Sequence, residues 1–383
     1  MFSYDELPTE LWLEVFAHLD ERSYVVSHAP FQPLPGVAAE EAVSRDMFTV
    51  VLVCKAWRAW AIELLYRNFK LSKNVKVPPA YGHWVRRAVV PYTTTATEIY
   101  ARPMETEVLN LCPNLEVLVR PPYAPSRTRD PCFEFDATCP TLSQLKRLDW
   151  WNYIEASRSG GINSLASVLQ RAPNIEYLFV GGAFSHFTAV AFHGLKSVIC
   201  LPRLRTLRIN ISNALLLRHV MQRWELPALE HLVLDAPLVG VGTDLLWEAV
   251  GPRLSVVELG KHVRFLLEQH ILPCLRASPQ LRELNYYLFL TNPPTLTGDD
   301  SLSFSSVECI GVHVAHTPFM GMENGAEEWE HLGRHVEMWC SDALPNLRRV
   351  VVFGRRTALF ADERWGGMRR RLEGRRIMLD VLE

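Results

Sequence analysis

The sequence predicts an α/β chain: a small all-α module of three helices, followed by a repeat solenoid with a curved parallel sheet. Three observations point there. The first 72 residues hold helices that are apolar on two sides. A short proline- and leucine-rich phrase recurs from about residue 105 to the C-terminal region. Helical stretches fill the gaps between its copies.

The first helix is LPTELWLEVFAHLD, residues 7–20. Leu11, Trp12, Val15, Phe16 and Leu19 make one broad apolar stripe at helical spacing. Pro8 suits a first helical position, where its missing N–H is not needed, and Glu10 complements the positive end of the helix dipole. The partner stretch, MFTVVLVCKAWRAWAIELLYRNFKLS (47–72), carries two faces. Val50, Val51, Cys54, Trp57, Ala61, Leu64 and Leu65 form one; Leu52, Val53, Ala56 and Trp60 form another, nearly opposite. A helix apolar on two sides must be covered on two sides. A unit of about seventy residues is marginal alone. Burial of its remaining apolar side chains against a partner, at roughly 1.5–3 kcal/mol each, would supply a stable interface. The module reads as a helical docking unit. Residues 21–46 stand between its halves, and Pro30, Pro33, Pro35 and Gly36 forbid a continuous helix there.

These residues resemble an F-box, whose pattern runs Leu-Pro, an amphipathic helix, Leu-Val-Cys-Lys/Arg-x-Trp and an apolar third helix. The resemblance implies binding of the Skp adaptor of Skp–cullin–F-box ubiquitin ligases. Carried over position by position, it implies Skp contacts at Leu7, Pro8, Leu11, Val15, Phe16 and Leu19. From the second half it implies Leu52, Val53, Cys54, Trp57 and Leu64.

The recurring phrase begins CPNLEVLVR (112), CPTLSQLKRL (139), APNIEYLFV (172) and LPRLRTLRI (201). It continues LPALEHLVL (226), GPRLSVVEL (251), SPQLRELNY (278) and LPNLRRVVV (344), with SSVECIGVH (305) as a copy lacking proline. The consensus is P-x-L-x-x-L-x-L: a turn entering a strand whose alternate residues face inward. Helical stretches at 162–172, 213–224, 243–250, 264–275 and 327–339 separate the copies. Strand plus helix at this period predicts a leucine-rich-repeat solenoid. WVRRAVVPY (84–92) reads as an atypical first strand, and RWGGMRRRLEG with RRIMLDVL as a closing helix and strand. PPYAPSRTRDP (121–131) and LTNPPTLTGDD (290–300) read as inserted loops. The boundaries expected are 1–72 for the F-box-like module, 73–104 for a connector and N-terminal cap strand, and 105–383 for the solenoid.

Residues alternating with the inward leucines face the concave side: Tyr177, Phe179, Arg208, His231, Val233, Glu258, Asn285, Tyr287 and His313. Aromatics with mixed charge suit protein recognition, so these are candidate contacts for a protein substrate.

Other signals are weaker. GVGTDL (240–245) has Leu245 where a dinucleotide loop needs its third glycine, and reads as a repeat turn. His331 and His335 are spaced to share a metal, but Leu332 stands where a metalloprotease needs glutamate; a solvated helix face is expected. The arginines at 369–371 and 375–376 are interleaved with acids and read as a charged end-cap surface. The eight cysteines are scattered without a C-x-x-C and read as buried thiols rather than a disulfide or zinc framework. Net charge is −2, without an overall footprint for nucleic acid or an anionic membrane. No stretch has the apolar length of a membrane span or the layout of a secretory signal, so a cytoplasmic or nuclear protein is expected. No catalytic residue, cofactor or metal is expected.

An F-box followed by leucine-rich repeats resembles the fungal-type F-box/LRR substrate receptors. That resemblance implies an adaptor that holds Skp, and through it a cullin, at one end and a target along the repeats. Two rivals are a Skp-binding scaffold acting outside a cullin ligase, and an enzyme site within the repeats.

Overall fold

The computed structural model describes residues 7–20, 27–35, 41–70, 78–90, 109–121, 141–151, 164–182, 198–211, 221–237, 242–296, 302–315, 326–354 and 362–382. The chain divides into two compact units. The first comprises Met1–His28, Pro33–Leu204 and Arg223–Ala228, and the second Ala29–Gln32, Arg205–Gln222 and Leu229–Glu383. The division falls inside the repeats.

The first unit opens with three helices, α1 (Thr9–Asp20), α2 (Glu41–Val53) and α3 (Lys55–Arg67). Only Cys54 separates α2 from α3; it is extended, and its thiol accepts the Trp57 N–H at 3.4 Å, capping the new helix. Parallel strands follow, each beside the next: β1 (Asn68–Lys70), β2 (Arg87–Val89), β3 (Val117–Arg120), β4 (Arg147–Trp151) and β5 (Tyr177–Gly181). A separate pair joins β6 (Ile199–Cys200) to β8 (Trp224–Glu225). Strand β1 grows directly out of α3, which the sequence did not foreshadow.

The second unit carries β7 (Thr206–Asn210), β9 (His231–Leu234), β10 (Val256–Leu259), β11 (Glu283–Tyr287), β12 (Cys309–His313), β13 (Arg349–Phe353) and β14 (Met378–Leu382). They too pair in that order, all parallel. The expected mixed α/β architecture with long parallel sheets is therefore observed.

Most of the described repeats share one backbone device. A residue three positions on donates back across a tight turn, as in Leu115 to Cys112, Ile175 to Ala172, Leu204 to Leu201, Leu254 to Gly251, Leu281 to Ser278 and Leu347 to Leu344. The proline sits second in these turns, where its fixed φ is suitable and no N–H is required. The copy without proline still makes the turn, Val307 to Phe304, and so does an unforeseen copy in the connector, Val85 to Gly82. In the copy at Pro140 the turn is Leu142–Leu145, so that proline precedes the turn instead of sitting in it. Three asparagines after a turn position reach back to the preceding repeat: Asn114 to the His83 carbonyl, Asn174 to that of Ser143 and Asn346 to that of Ser305, at 2.7–2.8 Å.

Register then brings like residues side by side. Leu207, Leu232, Val257, Leu284, Ile310 and Val350 form one fully buried column in the second unit, and Ala88, Leu118, Leu148 and Leu178 its counterpart in the first. Helices lie at Ser164–Arg171, Gly242–Val250, Ala326–Trp339 and Glu363–Gly374, as the sequence predicts. The stretch 264–275 instead splits into Arg264–Leu267 and Ile271–Ala277. Pro273 could not sit mid-helix, and the restart puts it in a first turn. There the Gln269 side chain accepts the Ile271 and Leu272 N–H groups. Of 213–224, residues 213–220 lie outside the described residues.

Two glycines make opposite predictions. A Cβ on Gly251 would stand 2.6 Å from the Ala277 carbonyl oxygen of the adjacent repeat, whereas one on Gly367, inside a helix, would meet nothing within 4 Å. Gly251→Ala should lower stability by about 1–3 kcal/mol, and Gly367→Ala should raise it by about 0.5–1 kcal/mol. Chemical denaturation midpoints of the two variants read both signs.

Candidate functional site

The helical module sorts its apolar residues onto two sides. Phe16, Met47, Val50, Val51, Ala61 and Leu64 form its core, with Trp12, Trp57, Trp60 and Leu65 packed against it. The Trp57 ring centroid lies 4.7 Å from that of Trp12 and 5.2 Å from that of Phe16. The broad stripe on α1 is thus divided: Trp12 and Phe16 turn inward while Leu11 and Val15 turn out, 46% and 49% exposed. On α2, Leu52 and Val53 are 68% and 57% exposed. Leu7, Pro8 and Cys54 are also exposed. Of the implied Skp contacts, then, Phe16 and Leu64 are in the module's own core and Trp57 is half-buried beside it, while Leu7, Pro8, Leu11, Val15, Leu52, Val53 and Cys54 are on the surface. The Leu19 side chain lies outside the described residues. Leu13 and Phe48, which the sequence reading passed over, are exposed too. Phe48 stands one helical turn before Leu52, a spacing that could have found it.

The sheet face expected to hold a substrate is not bare. In the first unit, the Arg147 guanidinium lies 4.3 Å over the buried Tyr177 ring, and His28 stacks at 6.1 Å on the same ring. Phe179 is buried beside Trp151, whose indole N–H donates to the Pro35 carbonyl at 2.7 Å. Residues 28 and 35 both belong to the insertion between the helices.

In the second unit, register aligns Arg208, Val233, Glu258, Asn285, Gly311 and Val351 in one row, with Tyr287, His313 and Phe353 in the row beyond. Arg208 makes a two-pronged ion pair with Asp235, both contacts 2.8 Å, and is 3% exposed. The Arg208 Nη2 that reaches Asp235 also donates to the Gln32 carbonyl at 3.0 Å. The Glu258 carboxylate accepts the Phe31 N–H at 3.1 Å. Phe31 itself points its ring among Tyr287, His313 and Phe353, with centroids 5.2, 5.3 and 5.0 Å away and all three edge-on. Such pairs favour the opposed signs of ring edge and face. His313 accepts the Ala315 N–H on Nδ1, which fixes its ring. Burial and nearby Lys261 hold it below the usual imidazole range, so it is neutral here. Burial, with the charge of Glu258 beside it, pushes the Tyr287 phenol up to about 12. Phe31 has φ +61, the left-handed region, which for a bulky residue costs on the order of 1–3 kcal/mol. Of the expected substrate contacts, Tyr177, Phe179, Arg208, Glu258 and Asn285 are buried and His231, Tyr287 and His313 half-buried. The sequence reading missed Phe31 and Gln32, because nothing local marks an insertion that returns to strands two hundred residues away. It also missed Asp235, just after β9, and Phe353, which the alternation that found Tyr287 and His313 could have located.

One expectation is overturned. His331 and His335 do not form a solvated helix face; both are buried. The Trp339 indole N–H donates to the Tyr286 hydroxyl at 2.9 Å, which lies 3.0 Å from His335 Nδ1. His335 Nε2 is 3.1 Å from the Thr291 carbonyl, and His331 Nε2 is 2.9 Å from that of Leu288. Arg334 donates to His331 Nδ1. Donors at each Nδ1 and carbonyls at each Nε2 favour neutral rings with the hydrogen on Nε2, and the two Nε2 atoms lie 3.1 Å from each other. The helix Ala326–Trp339 presents this edge to the core because Leu332, Val336 and Trp339 share it.

Gly242 opens the helix Gly242–Val250, while Gly240 and Val241 lie outside the described residues. Arg369 pairs with Glu373 and Arg375 with Asp342, both on the surface. The expectation of buried thiols holds for Cys112 and Cys274, which burial raises to about 12, but among the described residues Cys54 and Cys200 are exposed and Cys309 and Cys340 half-buried. Among the described residues no helix is long and apolar enough to cross a membrane. No protein-family model matches the chain, and no curated protein matches it.

The buried histidines predict a pH dependence. Desolvation lowers His331 and takes His335 well below its usual range, and each also lies against a further charge or ring. Below about pH 6.5 the unfolded chain takes up protons that the folded one refuses, so stability is lost as pH falls from that point, by up to about 1.4 kcal/mol per unit per group. Urea midpoints measured from pH 7.5 to 5 should fall more steeply for wild type than for His335→Gln, which starts less stable.

Proposed function

We propose that the chain is the substrate-recognition subunit of a Skp–cullin–F-box ubiquitin ligase, built as an F-box followed by leucine-rich repeats. The observation that carries this reading is the set of exposed apolar side chains on α1 and α2: Leu7, Leu11, Val15, Leu52 and Val53. They stand out from a module that has already filled its core with other residues of the same helices. Exposed apolar groups in such number mark an interaction surface. Their positions are those the F-box resemblance assigns to the adaptor. The repeated turn, strand and helix support the second half of the reading.

In this role the chain does no chemistry. It holds the adaptor through α1 and α2 and a target through the sheet face, raising the target's effective concentration beside the ubiquitin-loaded enzyme. It would work in the cytoplasm or nucleus, where its thiols stay reduced.

Co-expression with a Skp-type adaptor tests the docking half. Wild type should co-purify with the adaptor, and Leu11→Asp and Leu52→Asp should each reduce the retained adaptor at least tenfold with unchanged melting. Leu267→Asp, at a side chain 73% exposed in the second unit, should retain it fully. Equal retention, or equal absence, across all four proteins removes the docking reading. Target levels that do not respond to cullin inactivation would leave a scaffold outside the ligase.

A further inference from the structure

We propose that the cage of Tyr287, His313 and Phe353, with Glu258 and Arg208 beside it, is a receptor for an aromatic side chain presented on a turn of a partner protein, and that Phe31 is its built-in competitor. This deepens the reading above by naming what the target must offer. It does not need the adaptor.

Three features of the seat support it. Its polar groups take the backbone of the occupant, not its side chains: Glu258 accepts the Phe31 N–H, and Arg208 donates to the next residue's carbonyl. Those contacts are open to any sequence, so selectivity rests on the ring. Secondly, the cage is shaped by residues with other holders. Asp235 grips Arg208 in two-pronged fashion, and Ala315 fixes His313. Gly354, at φ +94, lies against the His313 ring, where a Cβ would stand 3.1 Å away. Arg208 and His313 are therefore held by groups outside residues 29–32. Thirdly, the occupant is the strained partner: Phe31 takes the left-handed backbone that a bulky residue avoids. A partner presenting the same ring without that strain would compete favourably, while tethering gives Phe31 the advantage of high local concentration. The partner is thus a peptide turn carrying phenylalanine, tyrosine or tryptophan.

The test uses the full chain and a labelled peptide of residues 27–35, SHAPFQPLP, with its Phe-to-Ala counterpart as control. Phe31→Ala vacates the cage, and fluorescence polarisation should show it binding the peptide at least tenfold more tightly than wild type does. The control peptide should not bind, and Phe31→Ala/Phe353→Ala should lose the interaction. Phe31→Gly, which keeps the backbone contacts and accepts φ +61 without strain, should bind the peptide more tightly than wild type does but less tightly than Phe31→Ala. Absence of peptide binding by folded Phe31→Ala and Phe31→Gly would overturn the proposal. So would a failure of both to melt cooperatively, since residues 29–32 would then be a brace the fold requires. Retention of the adaptor by these variants is read separately, so loss of the docking reading and loss of this one are distinct outcomes.

Discussion

A single carbonyl in each repeat accepts two successive N–H groups of the next, and most of the structure follows from that bond pair. The Arg86 oxygen takes Glu116 and Val117; Glu116 takes Lys146 and Arg147; Lys146 takes Glu176 and Tyr177. The second unit repeats it from Arg205 to Glu230 and His231, from Glu230 to Ser255 and Val256, and onward to Arg349. Because the bond pair sits just before each strand, it sets register before any side chain has a say. A one-residue slip would turn every inward leucine outward. The tight turn that precedes it delivers the chain at the correct angle, and proline makes that turn cheap in backbone entropy. The glycine at 251 shows how closely the layers then approach.

The same register makes the sheet face a printed surface. Residues that share a row come from positions about 25 to 40 apart in sequence, so charge and aromaticity can be chosen row by row. In the second unit one row carries Arg208 and Glu258, and the next carries three rings. The ion pair with Asp235 offsets the burial of Arg208, which alone would be costly. Phe31 and Gln32 thus meet an acceptor on Glu258, a donor on Arg208 and a hollow lined by three rings.

Much of this was legible from residue order. The proline phrase located the strands, including the copy without proline, because alternating leucines report a pleat directly. The helices at 164–171, 242–250 and 326–339 followed from spacing. Where local pattern and tertiary demand conflicted, the pattern failed for identifiable reasons. Pro273 broke a helix that looked continuous. The proline at 140 marked its strand three residues early. His331 and His335 looked polar, yet their ring nitrogens found carbonyls and a tyrosine hydroxyl inside. On α1 the stripe was visible, but which half faced inward depended on Trp57, some forty residues on. The occupied cage was invisible, since Phe31 carries no mark of its distant partners.

That distance has a kinetic meaning. The layer-to-layer bonds join residues about thirty positions apart, so each can close soon after its own repeat is made, and the array can grow by addition of one layer to the last. The bond from Phe31 to Glu258 spans 227 positions and needs β11, β12 and β13 already in place to supply its rings. During synthesis the segment 29–32 therefore waits for most of the chain before its partners exist.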